Sequence, residues 1–152
     1  MKRKIFVEAA CTLFVILFFY TAVSKIIDFS MFYSTLHDSR FKAVGKVAPV
    51  LAVAVPLTEI LVSIGLVMER FKTRALRATL VLMSIFLAYV AGLMTFIPFG
   101  RLPCSCGGIM QQITWHNHLY LNIGLTILAG VALWARTHPK NDASLARKVK
   151  YS

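Results

Sequence analysis

Four apolar runs, each long enough to cross a lipid bilayer, constrain this chain more than any other feature. They extend over about residues 5–27, 47–68, 75–97 and 117–134. A hydrocarbon core of about 30 Å requires about 20 helical residues, each rising about 1.5 Å. Hydrophobic residues make up 58% of the chain and charged residues only 15%, which is too apolar for a soluble domain. The sequence therefore predicts an all-α membrane protein.

The first run follows Lys2-Arg3-Lys4, a basic start that secretory signal peptides share. It is longer than the apolar part of a typical signal peptide, and no small-x-small cleavage pattern precedes Asp28. We therefore expect it to remain as a span. The predicted fold is a single domain over residues 1–152, an antiparallel bundle of four transmembrane helices joined by short connections.

The distribution of basic residues predicts the orientation. Most of the 17 Lys and Arg residues lie near the N-terminus, between the second and third runs, and in the tail over residues 135–152. Because basic residues are retained in the cytoplasm, both termini and this tail are expected there. The net charge of +11 is then a topology signal and an attraction to anionic lipids, and we expect no nucleic-acid partner. The expected location is a bacterial inner membrane, with the loop before the fourth run on the periplasmic side.

Two features of the second quarter of the chain predict local structure. Residues 28–46 mix apolar and polar side chains, which favours a short amphipathic helix at the membrane interface. Pro49 and Pro56 fall in the second run, where a proline removes a backbone hydrogen bond and favours a kink.

Cys104 and Cys106 lie in the loop before the fourth run, between Pro103 and Gly107-Gly108. With one residue between them, they would close a small, strained disulfide ring that is easily reduced and therefore suited to thiol exchange. Three alternatives stay open: a soft-metal site, a disulfide that only staples the loop, and a pair of inert thiols. Cys11, inside the first run, is interpreted as a packing residue.

Three residues at the start of the fourth run are candidates to assist the cysteines. His116 or His118 would accept or stabilise a proton as a cysteine becomes a thiolate, and Trp115 would anchor the interface or contact a quinone ring. Two histidines and two cysteines are suitable ligands for Zn²⁺ or Cu⁺. Their spacing differs from that of zinc fingers, and no metal ligand is assigned. Anchoring at the interface is the alternative role for both histidines.

Glu59 is the most deeply placed carboxylate, about 18 Å into the second run at a helical rise of about 1.5 Å per residue. A buried carboxylate is unfavourable without a proton or a partner, and Lys25 is in a position to pair with it or to extend to the surface. Asn122, in the fourth run, is expected to hydrogen-bond across the bundle. Two roles stay open for Glu59, Lys25 and Asn122: they form a proton or quinone site, or they only hold the helices together.

Three segments of the chain resemble the MauE/DoxX family of redox-associated membrane proteins, most closely its MauE-like branch. They are Tyr20 to Phe29, Pro56 to Leu66, and Cys104-Ser105-Cys106-Gly107-Gly108 with Trp115, His118 and Asn122 downstream. The resemblance implies a four-helix inner-membrane protein that forms or handles disulfides outside the cytoplasm beside a thioredoxin-like partner. It also implies that Cys104 and Cys106 are the redox pair and that Lys25 and Glu59 are polar residues inside the bundle.

The expected function is thiol–disulfide exchange with an extracytoplasmic thioredoxin-like protein, coupled to quinone as the candidate cofactor. Glu59, Lys25, Trp115 and Asn122 are the residues predicted to bind it. The alternatives are a non-enzymatic subunit of a membrane complex and a soft-metal protein.

Overall fold

The computed structural model describes residues 2–38, 42–96 and 115–138, and this part of the chain is helical without a strand. Its elements are α1 (Lys2–Ile27), α2 (Phe29–His37), α3 (Lys42–Lys46), α4 (Ala48–Val67), α5 (Lys72–Phe96) and α6 (Trp115–Thr137). The side chains of Lys2, Leu93, Phe96, Trp115 and His116 lie outside the described set. The predicted all-α fold is confirmed.

Four of these helices are long and apolar enough to cross a membrane, which confirms the predicted number of spans. The qualifying segments are Arg3–Ile27, Ala48–Val67, Lys72–Gly92 and Asn117–Thr137. Their outward faces carry large apolar side chains such as Ile16, Leu61, Ile85 and Ile127, each more than half exposed. Such a surface is unfavourable in water and is suited to lipid contact.

The four spans run up and down around a common core. α1 packs against α4 and α6, and α5 packs against the same two helices. We call the end of the bundle where α1 and α5 begin, and where α4 and α6 end, the near end. The opposite, far end has α2 and α3, and there residues 97–114 connect α5 to α6. The side of the membrane that each end faces stays a prediction.

The half of the core that lies toward the near end is apolar. Phe14, Phe18, Leu66 and Leu76 are fully buried there, and the rings of Phe14 and Phe18 stack at 6.0 Å. Cys11 is buried in the same cluster, as expected for a packing residue. Gly65 allows α4 to approach α5, because a Cβ at this position would lie 3.0 Å from the Cβ of Ala75.

The segment after α1 forms two short helices, α2 and α3, where the sequence predicted one amphipathic helix. Phe32 and Leu36 of α2 pack against Ala48 and Ala52 at the start of α4. A Cβ at Gly45 of α3 would lie 2.8 Å from the carbonyl oxygen of His37, so the close approach of these helices requires glycine.

The two prolines occupy different positions in α4. Pro49 is in the first turn, where the backbone N–H would have no helical acceptor and proline is well tolerated. Pro56 is buried inside the helix, which continues through it to Val67. The predicted kink at Pro56 stays a prediction.

Candidate functional site

A buried ion pair joins the first two spans. Lys25 Nζ donates to Glu59 Oε1 at 2.8 Å, with 7% of the lysine side chain and 11% of the glutamate side chain exposed. The side chain of Lys25 reaches inward because it points back along α1 toward Thr21, which is the usual direction of a long side chain on a helix. Of the two conformations that the sequence allowed for Lys25, the structure has the inward one.

The remaining contacts of Lys25 satisfy its ammonium group. Its Nζ lies 3.5 Å from the carbonyl oxygen of Thr21 and 5.7 Å from the ring centre of Phe32 in α2. A carboxylate, a carbonyl oxygen and an aromatic face thus surround the ammonium group. Phe32 of α2 therefore lies beside the ammonium group of the ion pair.

The carboxylate of Glu59 is less completely bonded than its partner. Oε1 accepts from Lys25, but Oε2 is buried without a hydrogen-bond partner among the described residues. One turn further along α4, Ser63 donates to the backbone oxygen of Glu59 at 2.8 Å and leaves the carboxylate unchanged. The pair thus has one open acceptor inside the bundle.

His118 and Asn122 form a second buried polar pair, one turn apart on α6. Asn122 Nδ2 donates to the backbone oxygen of His118 at 2.8 Å and lies 3.1 Å from its Nδ1. The imidazole is almost fully buried and meets the ring of Phe86 edge-on at 5.8 Å between ring centres. Because Nδ1 accepts from the amide, neutral His118 has its proton on Nε2. Asn122 was expected to bond across the bundle, but its side-chain hydrogen bonds to described residues are to its own helix.

A charged cluster at the near end was not predicted from the sequence. Lys72 is 3% exposed and donates at 2.8 Å to both carboxylate oxygens of Glu8, and it also pairs with Glu69. Arg136 donates to Glu69 Oε2 and to Thr73 Oγ1, each at 3.0 Å. We call Glu8, Glu69, Lys72 and Arg136 the near-end clasp. It connects α1, the α4–α5 turn, α5 and α6.

The electrostatics of the clasp act most clearly on Glu69. The hydrogen bond from Lys72, and then that from Arg136, lower the pKa of this exposed carboxyl below its ordinary value. The sequence contained a signal for this cluster, since Glu8 and Glu69 are the acidic residues among the many basic ones in the described part of this end. In the sequence alone, Lys72 and Arg136 indicate only topology.

The structure brings some of the predicted site residues together and leaves others undescribed. Lys25 bonds Glu59, and His118 bonds Asn122, in two separate pairs. Trp115 and His116 begin α6, but their side chains lie outside the described set. The redox pair, Cys104 and Cys106, lies outside the described residues, and its predicted chemistry stays a prediction.

Comparison with known proteins identifies the family. The family model described as "Methylamine utilisation protein MauE" matches residues 3–135, which include all four spans and both cysteines of the loop. The chain belongs to the MauE family. This confirms the MauE part of the resemblance, whereas the DoxX part stays untested. No curated protein and no solved structure matches the chain.

Proposed function

We propose that this MauE-family membrane protein exchanges disulfides through Cys104 and Cys106 with an extracytoplasmic thioredoxin-like protein, and that membrane quinone takes the electrons. One observation carries the proposal. In the sequence both cysteines lie between the end of α5 and the start of α6, and His118 is buried in the first turn of α6. Disulfide exchange requires thiols that carry electrons and a group that takes up protons, and His118 is a candidate for the second role.

The exchange balances in two steps. A thiolate of the partner attacks the Cys104–Cys106 disulfide and forms a mixed disulfide on Cys106, releasing Cys104 as a thiolate that takes up a proton. The second partner thiolate displaces Cys106, so the partner is oxidised and both cysteines become thiols. Their reoxidation transfers two electrons and two protons to the quinone, which becomes quinol.

The described side chains support roles in proton transfer. His118 is fixed by Asn122 with its Nδ1 as acceptor, which orients the imidazole as a proton relay requires. Glu59 keeps one carboxylate oxygen open inside the bundle. A quinone site at Glu59, Lys25, Trp115 and Asn122 stays part of the proposal. Because Glu59 Oε2 is completely buried, it is better suited to binding a proton than to contacting a quinone ring.

The proposal is tested by trapping the mixed disulfide in cells. In the reverse direction the Cys106 thiolate attacks the disulfide of an oxidised partner, so Cys104→Ser, which cannot resolve the mixed disulfide, accumulates a covalent partner adduct on non-reducing gels, and Cys106→Ser does not. Cys11→Ser is the matched control, because Cys11 is buried in the core and should leave the wild-type pattern unchanged. An adduct confined to Cys106→Ser reverses the assignment of the two cysteines.

Normal function of the double variant Cys104→Ser/Cys106→Ser removes thiol exchange as the function. A stable complex that survives these substitutions would instead identify the protein as a non-enzymatic subunit. Metal bound in a fixed ratio by the purified protein, and lost with the two cysteines, would identify a soft-metal protein.

A further inference from the structure

Two buried side-chain oxygens have no hydrogen-bond partner among the described residues, namely Glu59 Oε2 and Thr79 Oγ1. A buried polar atom without a hydrogen bond is unfavourable, and most such atoms in proteins are satisfied by protein groups or by ordered water. An internal water needs about two to four polar partners. Two open oxygens in one bundle therefore indicate where such a water would be held.

The packing of α4 on α5 places the backbones of Glu59 and Thr79 at nearly the same depth. Gly65 lies against Ala75, and the two helices are antiparallel. Toward the far end, Glu59 is six residues from Gly65 and Thr79 is four residues from Ala75, so their depths differ by about 3 Å at about 1.5 Å per residue. Thr79 is also one turn from Ala75, on the face of α5 that meets α4.

Most of the buried polar side chains lie at this level or toward the far end, and Ser63 lies one turn of α4 toward the near end. Each of the four spans contributes at least one: Thr21 and Lys25 from α1, Glu59 and Ser63 from α4, Thr79 from α5, and His118 and Asn122 from α6. Polar side chains inside a transmembrane bundle are expected to bond to one another or to internal water. Their concentration in one half is suited to internal water.

Apolar side chains close the opposite direction. Phe14 and Phe18 precede Thr21 in α1, Leu66 follows Glu59 in α4, and Leu76 precedes Thr79 in α5, so all four lie between the open oxygens and the near end. Each is at most 2% exposed. This layer has no hydrogen-bonding side chain through which a proton could pass to the near-end clasp.

We propose that Glu59 Oε2 and Thr79 Oγ1 hold an internal water, through which Glu59 exchanges its proton with the far side of the membrane and not with the near side. Lys25 is the charged group that faces Glu59 from α1. α5 presents Thr79, and α2 presents Phe32 and Leu36 to the start of α4. The inference deepens the role that the proposed function gives Glu59, and it rests on that function only for the use of the proton.

Infrared spectroscopy tests the water site. The protein carries Cys104→Ser and Cys106→Ser throughout, so that a failure of thiol exchange has no effect on this result. The band of protonated Glu59 is identified by its absence in Glu59→Gln. Thr79→Val keeps the side-chain shape but removes Oγ1, and should shift this band and slow its hydrogen–deuterium exchange several-fold. Thr79→Ser should restore both.

Thr126→Val is the matched control, because the hydroxyl of Thr126 already donates to the backbone oxygen of Asn122 at 2.7 Å. It should leave the Glu59 band and its exchange unchanged. If Thr79→Val leaves the Glu59 band unaltered and unfolds at a higher temperature than its parent, no water lies between Glu59 and Thr79. Absence of any Glu59 protonation band would also overturn the proposal.

Proteoliposomes of uniform orientation test the direction of exchange. A pH jump on the far side should change the Glu59 band rapidly, whereas the same jump on the near side should act only as fast as protons leak through protein-free liposomes. An equal response to both jumps would show that the layer of Phe14, Phe18, Leu66 and Leu76 does not separate Glu59 from the near side.

Discussion

Lys25 and Glu59 are joined across 2.8 Å between the first and second spans, and both are almost withdrawn from the surface. Each charge is tolerated there because the other is present, since the desolvation cost of one buried ion is several kcal/mol. The two residues are therefore coupled, and their substitutions should not have additive effects.

Breaking this pair from one side should be strongly destabilising. Lys25→Met leaves the Glu59 carboxylate without its cation and should lower the free energy of unfolding by about 3–5 kcal/mol. The double variant Lys25→Met/Glu59→Leu removes both charges and should recover most of that loss. Thermal unfolding in detergent measures both values, and equal stability of Lys25→Met and wild type would contradict the coupling.

A second pair of variants distinguishes a functional role of Glu59 from a packing role. Glu59→Gln keeps the shape and the hydrogen-bonding capacity but cannot ionise, whereas Glu59→Leu loses both. If proton transfer is its role, Glu59→Gln should fold and lose activity in a thiol-oxidation assay. Full activity of Glu59→Gln together with loss of folded Glu59→Leu would make the residue a contact between helices.

Acid should weaken the near-end clasp. Because the pKa of Glu69 is lowered in the folded protein, its carboxylate stabilises the fold above its ordinary titration range, and this contribution is lost as the pH falls through the lowered folded value. Melting temperatures in acid should therefore fall less in Glu69→Gln than in wild type. Asp28→Asn removes a far-end carboxylate and should keep the wild-type profile; identical profiles for all three proteins would exclude this role of Glu69.

Two glycines make a matched test of helix packing at the far end. Gly45→Ala places a Cβ 2.8 Å from the carbonyl oxygen of His37 and should destabilise the contact between α2 and α3. Gly124→Ala meets nothing within 4 Å and should stabilise α6 by about 0.5–1 kcal/mol, the usual helical preference for alanine. Thermal unfolding compares them. A stabilising Gly45→Ala would mean that α3 shifts away at no cost.

Thiol labelling of intact cells tests the predicted orientation. A membrane-impermeant reagent should modify reduced Cys104 and Cys106 but not Cys11, which is 3% exposed inside the first span. The variant Cys104→Ser/Cys106→Ser should remain unlabelled. Modification of the pair only after the inner membrane is permeabilised would reverse the orientation and remove the oxidising compartment from the proposed function.

The spans could be predicted from sequence because length and composition alone determine whether a helix can cross a bilayer. Glu59 could be singled out for a similar reason, since a carboxylate among apolar residues is conspicuous. The near-end clasp could not, because Lys72 belongs to a basic stretch and its burial depends on Glu8, which is 64 residues away in the chain. Likewise, nothing local in α5 marks Thr79 as buried without a hydrogen bond.

The near-end clasp also restricts the movement of α1, α5 and α6 relative to one another at that end of the bundle. Its ion pairs fasten α1, α5 and α6 together at the near end, and Arg3, 5.1 Å from the ring centre of Trp134, adds another link between the first and last spans. Helices fastened at one end pivot about it, so any tilt that preserves these bonds is smallest there and grows along the bundle. The far ends of α5 and α6, between which Cys104 and Cys106 lie in the sequence, are farthest from these bonds, so a given tilt of either helix about the clasp would displace them most.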